Sequence, residues 1–72
     1  MNMDDALESL GYLVKSEDKI EKLSFRYRIG EKTGSVEPLG FGVHTASSAL
    51  TALVAASNIV EVTDVFFRRF EG

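Results

Sequence analysis

Cysteine is absent from the 72 residues, and its absence excludes disulfides, thiolate metal centres and cysteine nucleophiles together. A chain this short, without staples, depends on packing or on a partner, because domains of this size bury only about 60% of the surface their unfolded chains expose. That leaves little room for a deep catalytic pocket beside a core. Proline occurs once and glycine six times, too few for a linker or a low-complexity segment. No apolar run approaches the roughly 18 residues of a membrane span. The longest, Ala46 to Val60, is interrupted by Ser47, Ser48, Thr51, Ser57 and Asn58. The first sixteen residues show no basic-then-apolar leader pattern, so the expected location is cytoplasmic, with no membrane partner.

What remains is an ordinary globular balance, 44% hydrophobic and 26% charged, which predicts one folded α+β domain over residues 1–72. Asn2 suits an N-cap, with Asp4 and Asp5 in the first turn, where carboxylates favour the positive end of the helix dipole. Met3, Ala6, Leu7 and Leu10 follow at helical spacing. This predicts a helix over about residues 3–10, closed at Gly11 or continued for a turn through Tyr12, Leu13 and Val14. From Lys22 to Ile29 the alternation is strict. Leu23, Phe25, Tyr27 and Ile29 point one way, and Lys22, Ser24, Arg26 and Arg28 the other. Gly30 to Gly34 reads as a four-to-five-residue hairpin connection, with Gly34 able to take a positive φ. A second strand is expected over Ser35 to Val43, with Leu39, Phe41 and Val43 alternating, at an edge or bulged near Pro38.

Thr45 is the expected N-cap of a second helix ending near Ser57, with Asn58 just beyond. Its many alanines permit close approach to a sheet. Ile59 to Phe70 is rich in β-branched and aromatic residues and reads as a final strand. A helix capped at Thr63 is the competing reading. The predicted order is α-β-β-α-β, a single-layer sheet with the second helix packed on its apolar face. A crossover joins the hairpin to the last strand; if those two strands were adjacent and parallel it would be right-handed.

No constellation specifies a reaction, and no enzyme activity, cofactor or metal is predicted. Gly40-Phe41-Gly42-Val43-His44-Thr45 stands where a strand enters a helix, a place where amides receive anions. It lacks the third glycine and the doubly wound unit of a dinucleotide fingerprint, so the glycines are read as easing a bend. His44 is the only histidine and has neither cysteine partners nor an orienting carboxylate, although Ser47 and Ser48 are near in sequence. Asp4, Asp5 and Glu8 are explained by the helix dipole, and Glu61 and Asp64 lack calcium-loop spacing.

Charge is uneven. Residues 1–21 carry six acids and two bases, residues 22–35 four bases and one acid, and residues 36–72 four acids and two bases. Lys22, Arg26 and Arg28 therefore form a basic stripe on one strand face, read first as a solvated structural face, and where it meets a partner as a steering surface for an acidic protein or, as the alternative, for nucleic acid, which the pI near 5.0 disfavours. In the last strand, simple alternation puts Val60, Val62 and Phe66 on one face and Val65 and Phe67 on the other. A strand apolar on both faces needs both covered. The expectation is a small assembly module acting as a homodimer, with Val65 and Phe67 at the contact and a sheet edge taking part.

Overall fold

One strand organises the molecule. The computed structural model describes residues 2–72, and within them β1 (Lys19–Ile29) is flanked on both sides. One flank is taken by β4 (Glu61–Arg69) along nearly its whole length. The other is divided between β2 (Lys32–Val36), opposite Phe25 to Ile29, and the two-residue β3 (His44–Thr45), opposite Lys19 and Ile20. Every pairing is antiparallel. With α1 (Met3–Ser16) and α2 (Ala46–Ser57) the described order is α-β-β-β-α-β. The class is α+β, with α2 against the apolar face of the sheet. β2 and β4 flank β1 rather than each other, so the adjacency on which the crossover rule depended does not arise.

Asn2 caps α1 as expected, accepting the Asp5 amide at 2.9 Å. The helix does not close at Gly11. Ala6, Leu10 and Leu13 are all buried, and burying one more leucine contributes about 1.5–3 kcal/mol, more than the roughly 1 kcal/mol that an interior glycine costs. The end comes at Glu17, left-handed at φ 59°. The Asp18 amide reaches the Leu13 carbonyl at 3.0 Å and the Glu17 amide reaches Val14 at 3.2 Å, the two bonds of a Schellman ending. Thr45 caps α2, accepting the Ser48 amide at 3.1 Å.

The hairpin is tighter than its sequence suggests. Ile29 pairs Lys32, leaving Gly30 and Glu31 as a two-residue turn with Gly30 at φ 59°, the requirement of such turns with glycine first. Gly34 lies inside β2, where the Tyr27 ring crosses it; a Cβ there would stand 2.4 Å from Tyr27 Oη. The second strand stops at Val36 rather than reaching Val43. Beyond it Pro38 has no amide to donate, Gly40 and Gly42 take positive φ, and Phe41 is fully exposed.

Two irregularities set the core. Between Ile20 and Lys22 the β1 strand advances two residues while β4 advances one, and between Arg26 and Tyr27 it is β4 that carries the extra residue, Thr63. Each is a bulge that shifts the in-out alternation by one. The first puts Ile20 on the same face as Leu23 and Phe25. The second joins Val62 to Val65 and Phe67. These face Ala6, Leu10 and Leu13 of α1 and Ala46, Ala49 and Leu53 of α2 in one cluster. Both helices therefore cover the same face of the sheet.

Glu17→Gly is expected to raise unfolding stability by about 1 kcal/mol by removing a left-handed non-glycine residue. Gly34→Ala is expected to lower it by about 1 kcal/mol, and the loss should disappear in a Tyr27→Ala background. Urea denaturation of the four variants checks both signs.

Candidate functional site

With both helices on one side, the opposite face of the sheet is open, and the register assigns its occupants. Arg26 stands across from Asp64, Arg28 from Glu61, Ser24 from Phe66 and Lys22 from Arg68. Lys22, Arg26 and Arg28 do share this exposed face, as alternation requires. They are not a free basic stripe. Arg28 meets Glu61 at 2.6 Å, Lys22 meets Glu37 at 3.4 Å, and Arg68 meets Glu21 at 2.6 Å. Arg26 lies over the Phe66 ring, 5.9 Å from its centroid. The pairs are about half exposed, so each contributes about 0–1 kcal/mol to stability. Their larger effect is to offset the field that would steer an anionic partner.

The expectation of an apolar second face on β4 is corrected by the bulge at Thr63. Val65 is completely buried beneath the helices and Phe67 is half-buried on the same side, so neither is presented as an outward contact. On the open face the large apolar side chain of β4 is Phe66, 47% exposed. Sequence alternation alone assigns Phe66 with Val62, because it contains no sign of a residue inserted between them.

What β4 does present is an edge. Among the described residues it pairs with β1 alone, on one side. The Phe70 amide bonds the Lys19 carbonyl at 2.9 Å, and because main-chain groups alternate sides along a strand, those of Arg69, Phe67 and Val65 point away from β1. Beside this edge runs a groove of about 640 Å³ between α1 and β4, lined by Tyr12, Leu13 and Phe67 with Asp5, Glu8 and Arg69. Tyr12 is 68% exposed there. Arg69 is held by Asp18, which fixes the end of the strand near the close of α1.

The other sequence candidates resolve into local roles. His44 sits half-buried in β3 opposite Ile20, its Nε2 sheltered without a hydrogen-bond partner. Ser48 is engaged with the Thr45 cap. Among the described residues no group of three or more histidine, aspartate or glutamate side chains is placed to hold a metal ion. No helix among them is long and apolar enough to cross a membrane. Comparison of the chain with protein-family models, with curated proteins and with solved structures finds no match.

Val65→Ala is expected to cost about 2 kcal/mol of stability, and Phe66→Ala less than about 1 kcal/mol, the size of its exposed contact with Arg26. Chemical denaturation ranks the two. The reverse order would place Phe66 in the core and contradict the bulge.

Proposed function

We propose that this chain is a small, non-catalytic assembly module of the cytoplasm that associates with copies of itself through the outer edge of β4. The observation that carries the reading is the unpaired edge, whose main-chain groups at Val65, Phe67 and Arg69 lie beside the Tyr12 groove. Exposed strand edges recruit further strands, with main-chain hydrogen bonds supplying affinity and flanking side chains specificity. An aromatic ring 68% exposed next to such an edge gains burial on association. The contact is thus an edge with its adjoining groove, rather than Val65 and Phe67 acting as an outward patch.

An acidic protein or a nucleic acid has less to engage, since Lys22 and Arg28 already face Glu37 and Glu61. Phosphate affinity grows with the number of cations free to neutralise it.

Sedimentation velocity from one to several hundred micromolar is expected to show a monomer–dimer equilibrium. Tyr12→Glu, which adds charge at the groove without touching the buried core, should shift it at least about tenfold toward monomer. A strict monomer over the whole range overturns the proposal.

A further inference from the structure

Resting on that reading, we infer that the seam is a two-fold antiparallel ladder of β4 against β4 of a second copy, centred on Phe66. The main-chain geometry limits the choices. Val65, Phe67 and Arg69 direct their hydrogen-bonding groups outward, so a symmetric pairing must match odd-numbered positions with odd and even with even. The Thr63 bulge breaks the ladder on its amino-terminal side and the strand ends at Arg69, confining regular pairing to Asp64 through Arg69. Four centres fit within that stretch; Arg68 would set two arginines against each other at the axis, which leaves Val65, Phe66 and Phe67.

Side chains decide among them. Centring on Val65 sets Asp64 against a phenyl ring, Phe66 of the other copy. Centring on Phe67 sets Phe66 against Arg68 and leaves Asp64 facing Phe70. Centring on Phe66 sets Asp64 of each copy opposite Arg68 of the other and brings the two Phe66 rings together at the axis. β4 has the pattern this requires, with Glu61 and Asp64 before the aromatic pair and Arg68 and Arg69 after it.

The rows continue across the seam on both faces. On the open face Lys22 and Arg68 of one copy stand opposite each other as like charges, and Asp64 of the second copy would extend that row with a carboxylate. On the helix face Phe25 pairs Val65 and Leu23 pairs Phe67. The Phe66-centred register then runs Leu23, Phe67, Val65 and Phe25 in one apolar row, the last two from the second copy. The half-exposed Phe66 and the half-buried Phe67 both gain cover. Because the same residues serve both partners, the contact closes as a dimer and does not propagate.

The chain has no cysteine, so an introduced thiol reports without background. At a non-hydrogen-bonded two-fold position, Cα atoms lie about 4.5 Å apart, within the span of a disulfide. Phe66→Cys is expected to cross-link quantitatively under mild oxidation at concentrations where the parent chain is dimeric. Ser24→Cys, on the same face but three strand spacings from its counterpart, should not. Asp64→Arg and Arg68→Asp should each weaken dimerisation about tenfold, and the double substitution should recover most of the loss. A parent chain that dimerises while Phe66→Cys stays reduced and both charge reversals are silent overturns this register and leaves self-association standing. A chain that stays monomeric at all concentrations overturns both. Protection of the Val65 and Phe67 amides that appears only when a different protein is added overturns the second copy as occupant.

Discussion

Gathering the buried apolar side chains of β1 and β4 onto one face of a three-strand-wide sheet is the constraint from which this structure follows. Neither β1 nor β4 offers its apolar residues at uniformly even spacing: Ile20 is three residues from Leu23, and Val62 is three from Val65. A regular pleat would turn one member of each pair to the far side. The bulges at Glu21 and Thr63 absorb the odd residue, and the two strands then present Ile20, Leu23, Phe25 and Val65 to the helices together. Alanine at positions 6, 46 and 49 lets the helix backbones come close enough to seal them.

The same concentration on one side leaves the other sheet face to charge. Its ion pairs are exposed and individually weak, so stability rests on the buried cluster. Acids supplied by the loop after β2 and by β4 occupy the positions from which an anionic partner would be drawn in, while the outer edge of β4, like that of β2, keeps unmet hydrogen-bonding capacity.

Features fixed by a residue and its immediate neighbours could be read directly. Asn2 and Thr45 cap because a side-chain oxygen reaches an amide three residues on, and β1 is visible because its alternation from Lys22 to Ile29 is unbroken. Features fixed across the fold could not. Helix α1 passes Gly11 because Leu13 has a core to enter, and it ends on Glu17, a residue with no intrinsic preference for a left-handed turn. Leu39, Phe41 and Val43 mimic a strand, yet glycines at positive φ between them turn the chain away. In the candidate site, the common face of Lys22, Arg26 and Arg28 was legible, whereas their acidic partners come from distant segments. The bulge that buries Val65 and Phe67 is a property of the β1–β4 pair, and neither strand carries it alone.

β1 meets β2 across a two-residue turn, but it meets β4 only after residues 30–60 have been accommodated. Hairpins of that kind close in microseconds, while strands distant in the chain must first meet the entropy of a large loop. The connectivity thus favours an order of events in which the β1–β2 hairpin closes early and β4 docks late. Until then the flank of β1 that awaits it stands open to any other strand it meets.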